Sequence, residues 1–137
     1  MDRYPVVYIL GLGLSADVAQ YLRRILTVLG YHAETPVEEY EINSVLKRIK
    51  REDVLMVLSY SGNNQKLARY IEQIVTVATP TIISITRADN NIIQNMSDLN
   101  FYMFADDISI DGIDITSRCG MIAVIETLMY KRITERK

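Results

Sequence analysis

Six consecutive residues, Ser59-Tyr60-Ser61-Gly62-Asn63-Asn64, supply two serine hydroxyls, two amides and a glycine directly after the apolar run Val54 to Leu58. Hydroxyls and amides donate hydrogen bonds to anionic oxygens, and glycine lets the backbone come close. A helical pattern follows, and its start offers free N–H groups and the positive end of a dipole. The chemistry is that of a phosphate seat. A second loop, Gly11-Leu12-Gly13-Leu14-Ser15, follows the first apolar run in the same way, with Ser15 expected at the helix N-cap. Singly, Ser59, Ser61 and Asn64 suit turns and caps. As a set opposite Ser15 they suit a bound phosphate ester. Asp17, in the first turn of the following helix, would compete with an anion unless it points outward.

Other chemistries are weaker. Gly11-x-Gly13-x-x-Ala16 fits the dinucleotide fingerprint, and Glu34 lies about twenty residues on, where a ribose-binding acid is wanted. That reading leaves the second loop and Ser15 without a role. His32, the single histidine, follows a helix exit far along the chain from both loops and reads as structural. Cys119 falls in a helical apolar setting and reads as a small core or interface residue. Asp107-x-Ser109-x-Asp111-Gly112 starts like a calcium loop, but its twelfth position is Arg118 rather than Glu, so no metal is expected. Arg118 opens the last helix beside an acidic loop. It could pair with an aspartate or reach a ligand phosphate, and a structural or interface role is favoured.

The elements that must position these loops alternate strand and helix. Strands are expected at Val6–Leu10, Tyr31–Glu34, Val54–Leu58, Thr81–Ile85 and Leu99–Phe104. Val18, Leu22, Ile25, Leu26 and Leu29 mark one helix, closed by Gly30. A second spans Glu38–Lys50, with a solvated basic end at Lys47, Arg48, Lys50 and Arg51. Leu67, Ile71, Ile74, Val75 and Ala78 mark a third, and Asn91 to Met96 makes a helical turn. An aspartate-rich loop spans Ala105 to Asp114. The last helix is expected over Thr116–Arg132, with Met121, Ile122, Ile125, Leu128 and Met129 as its apolar stripe. Continuous apolar strands between amphipathic helices predict an α/β fold: three layers, with a doubly wound five-stranded parallel sheet covered on both faces. Ligands on such sheets bind at the strands' carboxyl ends, where both loops lie.

The chain has 137 residues, enough for one domain, and a formal net charge of -2, which argues against DNA binding by this chain alone. One cysteine excludes an internal disulfide. Met1-Asp2-Arg3-Tyr4-Pro5 does not open a signal segment, and no apolar run approaches the ~20 residues of a membrane span. A cytoplasmic protein is expected.

The two loops, standing as Gly11-Leu12-Gly13-Leu14-Ser15 and Ser59-Tyr60-Ser61-Gly62-Asn63-Asn64-Gln65-Lys66, resemble the paired loops of the SIS (sugar isomerase) domain, whose sheet is flavodoxin-like. The resemblance covers nearly all of residues 1–137 as a single domain. The Ser-Tyr-Ser-Gly wording and the ending Thr116-Ser117-Arg118-x-x-Met121-Ile122-Ala123-Val124-Ile125-Glu126-x-Leu128 are most similar to the sugar-phosphate-sensing half of RpiR-type transcriptional regulators. The resemblance implies that Gly13, Ser15, Ser59, Tyr60, Ser61, Gly62 and Asn64 hold a phosphosugar. Asn64 stands where threonine is usual and can still donate. Lys66 stands where glutamate is usual, reversing a charge, and is expected at the rim or an interface, like Arg118. A dimer or higher homo-oligomer is implied, with the first and last helices taking part. In RpiR-type regulators a separate helix-turn-helix domain reads DNA, and this chain opens on the first strand instead. An isomerase needs a placed base, and neither His32 nor Glu126 is placed by spacing. The expectation is a non-catalytic sensor without cofactor. The alternatives are a ketose–aldose phosphate isomerase and, behind it, an NAD(P)-binding Rossmann domain.

Overall fold

The computed structural model describes residues 4–135; Met1-Asp2-Arg3, read above for a leader, lies outside the described residues. In chain order the elements are β1 (Val6–Gly11), α1 (Leu14–Val28), β2 (His32–Glu34), α2 (Glu39–Arg48), β3 (Val54–Leu58) and α3 (Gln65–Val77). They continue with β4 (Thr81–Arg87), α4 (Ile92–Asn95), β5 (Leu99–Met103), β6 (Ser109–Ile110), β7 (Ile113–Asp114) and α5 (Cys119–Glu135).

β1 to β5 form one parallel sheet in the order β2-β1-β3-β4-β5. This is the doubly wound arrangement, and the strand order reverses between β1 and β3. The loops after β1 and β3 therefore flank the switch point, with Gly11 in register with Leu58.

The pleat sends alternate residues to opposite cores. Val6, Tyr8, Leu10, Leu55 and Val57 pack with Ile42 and Val45 of α2, Leu67, Ile71 and Ile74 of α3, and Ile93 of α4. Ile9, Met56, Leu58 and Ile85 pack on the other face with Val18, Leu22 and Leu26 of α1 and Met121 and Ile125 of α5. Fully burying each such aliphatic side chain is worth roughly 1.5–3 kcal/mol. The two cores fix the sheet, and the sheet fixes its carboxyl edge.

Several boundaries differ from the sequence reading for local reasons. Glu38 caps α2 in a reciprocal box with Glu41, and the helix stops at Arg48 because Ile49 is extended. β4 runs two residues past Ile85, because Arg87 N–H donates to the Tyr60 carbonyl. Val75, expected on the inner face of α3, is exposed. The last helix starts at Cys119 rather than Thr116. Thr116 bonds back to Ile108, and the Ser117 hydroxyl accepts from the Cys119 N–H in the manner of a cap. Cys119 is exposed at that helix start, so it is not a core residue. Met121 and Ile125 are the buried residues of α5. The segment read as one aspartate loop contains the antiparallel hairpin β6–β7, turned at Asp111 and Gly112, both with positive φ. No described helix is long and apolar enough to cross a membrane.

Candidate functional site

A cleft of about 550 Å³ opens at the switch point, in the size range of small-molecule sites. One wall is made by the loops after β1 and β3: Gly13, Ser15, Ser59, Tyr60, Ser61 and Asn64. The other is made by the hairpin segment and the start of α5: Asp107, Ser109, Asp114, Thr116 and Arg118. Ser15 and Ser61 thus line the same cleft although 46 residues separate them in sequence.

The hydroxyls of the first wall share one pattern. Ser59 Oγ accepts from the Gly62 N–H at 3.2 Å, and Ser61 Oγ accepts from the Asn63 N–H at 3.1 Å. Ser15 Oγ accepts from Arg118 Nε at 3.0 Å. An oxygen held as an acceptor keeps its own O–H to donate. Asn64 follows the same logic: its Oδ1 caps α3 by accepting from the Leu67 N–H at 3.0 Å, which leaves the NH₂ as a donor. Three hydroxyls and an amide are thereby set as donors along one wall, beside the N-terminus of α3.

Ser15 does not cap α1. Gly13 occupies the N-cap position and Ser15 lies inside the first turn, almost fully buried. Asp17 of that turn is exposed and does not line the cleft. The second loop is braced from below. Gly62 has φ +68°, and its carbonyl accepts from Ile93 N–H at 2.9 Å. Asn63 Oδ1 accepts from Ile92 N–H, and buried Asn91 lies directly under Gly62, where a Cβ would come within 2.1 Å of its side chain. The amide and carbonyl of Gly62 are thus used inside the loop and its support.

Arg118 pairs with an aspartate, one of the two roles its position suggests, and its guanidinium lines the cleft. Besides Ser15 it donates to the Thr116 carbonyl at 2.6 Å and to Asp114 Oδ2 at 2.7 Å, over the Tyr60 ring at 5.7 Å. Only 9 % of its side chain is exposed. Burial pushes the Asp114 carboxyl up, but hydrogen bonds from Thr116 and Arg118 and the guanidinium charge outweigh it and hold it at about 2. Tyr60 is pushed up by burial and by Asp107, against the Arg87 charge, and its hydroxyl donates to the Ala105 carbonyl at 2.9 Å.

Other predicted residues lie elsewhere. Lys66 is exposed and lies over the Tyr70 ring, in a groove with Glu39, Arg69 and Gln73. His32 and Glu34 line a different groove with Arg48, and Arg48 binds Glu34 through two hydrogen bonds of 2.9 and 3.0 Å. Glu34 is level with Tyr8, three residues short of Gly11, so it lies ~10 Å below the sheet's carboxyl edge. That is too deep in the sheet for a ribose-binding acid at the loop. Glu126 is exposed on α5.

Asp107 and Asp114, read in the sequence only as members of an aspartate-rich loop, line the cleft. The signal for them was Asp111-Gly112 between two short β-prone pairs, the two-residue hairpin turn. Among the described residues, no group of three or more His, Cys, Asp or Glu is arranged to hold a metal ion.

A family model described as the SIS domain matches residues 5–128. No curated protein matches the sequence. Among solved structures, the Vibrio vulnificus NanR protein complexed with ManNAc-6P superposes with a TM-score of 0.83 at 16% identity, over 96% of this chain and 50% of that one. The chain thus spans about half the length of NanR. The sugar isomerase domain of an RpiR transcription factor from Sphaerobacter thermophilus gives 0.77 at 19% identity, over 94% and 70%. The E. coli CFT073 protein c3406 in complex with A5P gives 0.75 at 16%, over 94% and 69%. At these identities the likeness establishes the fold.

Proposed function

This chain belongs to the SIS domain family, and from that premise we propose that it binds a phosphorylated sugar in the switch-point cleft as a non-catalytic sensing domain of RpiR type. The observation that carries this reading is the arrangement of Ser15, Ser59, Ser61 and Asn64. Each already accepts a hydrogen bond within the protein, and each keeps a donor on the same wall. Four donors beside a helix N-terminus match the three outer oxygens of a phosphate monoester. Arg118 adds a guanidinium next to Ser15 and contributes charge to the same anion.

The sensing role, rather than isomerisation, is favoured by the pairing of Asp114 and by the positions of His32 and Glu126. Asp114 is held ionised in a tight pair with Arg118, which makes it a weak base. His32 and Glu126 lie outside the cleft. Neighbours in a sugar-bound NanR and an RpiR domain are consistent with sensing. A cytoplasmic location and readout through a DNA-binding domain outside this chain belong to the same reading. So does pairing with a second copy. Helix α5 is apolar around much of its circumference while Met121 and Ile125 are its buried residues, as for a helix that an assembly covers.

The test is a panel of glucose 6-phosphate, fructose 6-phosphate, glucosamine 6-phosphate and arabinose 5-phosphate, with NAD as the contrasting ligand. A bound member at ~100 times its dissociation constant stabilises the fold by ~2.7 kcal/mol. Replacing Ser59 and Ser61 together by Ala weakens binding by about 1–3 kcal/mol per lost charge-assisted bond, and costs stability by about 1–3 kcal/mol because the buried Gly62 N–H loses its acceptor. Unchanged affinity in that double variant puts the ligand elsewhere. Turnover of a panel member that Ser61→Ala abolishes makes the domain an isomerase.

A further inference from the structure

The two walls of the cleft carry different charge, and the difference bears on what the ligand's other end must be. The loop wall presents neutral donors. The hairpin wall presents two carboxylates, Asp107 and Asp114. Arg118, the cation among the lining residues, is already paired with Asp114 at 2.7 Å. Asp107 is held more loosely, 3.5 Å from Arg87, whose Nε is taken by Asp89, and beside the Tyr60 hydroxyl, and it is 69% exposed.

A phosphate seated against the serines brings two negative charges to one shared guanidinium. A ligand that spans the cleft from the serines to the opposite wall meets Asp107, which lines that wall. Sugar hydroxyls, or an amine, can donate to that carboxylate. A second acid at that end meets like charge across a confined cleft, where water screens less than in bulk.

We propose that Asp107, backed by Asp114, makes this cleft select monophosphate esters whose far end is neutral or carries an amine, and reject those bearing a second acid group. The selection rests on the phosphosugar reading above and adds to it a ligand class and the residue that sets it. Asp107 lies on the exposed hairpin segment, away from both cores, so its replacement leaves the sheet and both cores intact and loosens only the hairpin's tie to Arg87 and Tyr60.

The experiment pairs each neutral ligand with its acidic relative. Glucose 6-phosphate is compared with 6-phosphogluconate, and fructose 6-phosphate with fructose 1,6-bisphosphate, by calorimetry on the wild-type chain, Asp107→Asn and Asp107→Lys. Within at least one pair, the acidic member binds the wild type about tenfold or more weakly than its parent. Asp107→Asn, which keeps the shape and removes the charge, narrows that gap to about threefold or less, and Asp107→Lys reverses it. Glucosamine 6-phosphate loses affinity in Asp107→Lys. Acidic members that bind the wild type as tightly as their parents overturn the selection while leaving the phosphosugar site standing. A wild-type gap that survives unchanged in Asp107→Asn assigns it to shape and also overturns the proposal. If no sugar phosphate binds, the phosphosugar reading falls and the selection with it.

Discussion

The loop wall of the cleft grows out of the sheet's buried carboxyl edge, whereas the hairpin wall stands outside both cores. The loops inherit their positions from β1 and β3, which lie between two apolar layers. The hairpin keeps its position through a few polar ties: Thr116 to Ile108, Arg118 to Asp114, Arg87 to Asp107 and Tyr60 to Ala105. Its isoleucines Ile108, Ile110, Ile113 and Ile115 are all exposed. The donors proposed to hold a phosphate thus sit on the part of the molecule that cannot move without disturbing the fold. The carboxylates that would distinguish one ligand from another sit on the part that can.

One pair of substitutions breaks or sharpens this contrast most strongly. Gly62 and Gly112 both have positive φ, at +68° and +78°. A Cβ on Gly62 meets Asn91 at 2.1 Å, whereas on Gly112 nothing lies within 4 Å. Gly62→Ala therefore adds a steric cost to the left-handed backbone cost, and stability to urea falls by about 3 kcal/mol. Gly112→Ala shows the backbone cost alone, about 1 kcal/mol. Equal losses would mean that the second loop is no better supported than the hairpin.

A smaller effect comes from the ion pair between Asp114 and Arg118 within the hairpin wall. The Asp114 carboxyl is held at about 2, below its ordinary 3.8. A depressed carboxyl stabilises the fold above its unfolded value, and that contribution is lost as pH falls toward 2. Asp114 is 46% exposed, so after allowing for solvent screening the wild type exceeds Asp114→Asn by about 1 kcal/mol at pH 6. About half of that difference is gone at pH 3. A difference constant between pH 6 and pH 3 would show that the hydrogen bonds from Thr116, not the charge of Arg118, hold the hairpin.

The same contrast explains what the sequence made legible. The five strands, their flanking helices and both donor loops were readable, because a buried parallel strand leaves an unbroken apolar run and a phosphate loop must follow it. Gly30 ended α1 as its position predicted, with φ +95°. The hairpin wall was not readable in that way. β6 and β7 have two residues each, too short for a periodic signal, and both are exposed. Arg118 reaches Ser15 across 103 residues, a contact that no local pattern encodes. Ser15 was assigned to the N-cap because hydroxyl residues favour that position, but Gly13 takes it and frees Ser15 to face Arg118. Lys66 was placed near the loop by sequence adjacency. The first turn of α3 carries it onto the face that looks toward Glu39.

The least disruptive probe is Tyr60, which belongs to both walls. Its backbone lies between the two serines of the loop, its ring lies between Arg87 at 6.0 Å and Arg118 at 5.7 Å, and its hydroxyl donates to Ala105 at the foot of the hairpin segment. Tyr60→Phe keeps the ring and both cation contacts and removes the hydroxyl, with its bond to Ala105 and its contact with Asp107. Stability falls by about 0.5–1.5 kcal/mol. The informative readout is where protection from hydrogen exchange is lost. If the hairpin wall is held by separate polar ties, the amides of Ile108 and Ile115, both bonded within that segment, exchange faster in Tyr60→Phe while those of β3 and β4 keep their rates. Exchange that rises equally in the hairpin and in β3 would show that the two walls open as one unit. The cleft would then have no independently movable side on which ligand selection could act.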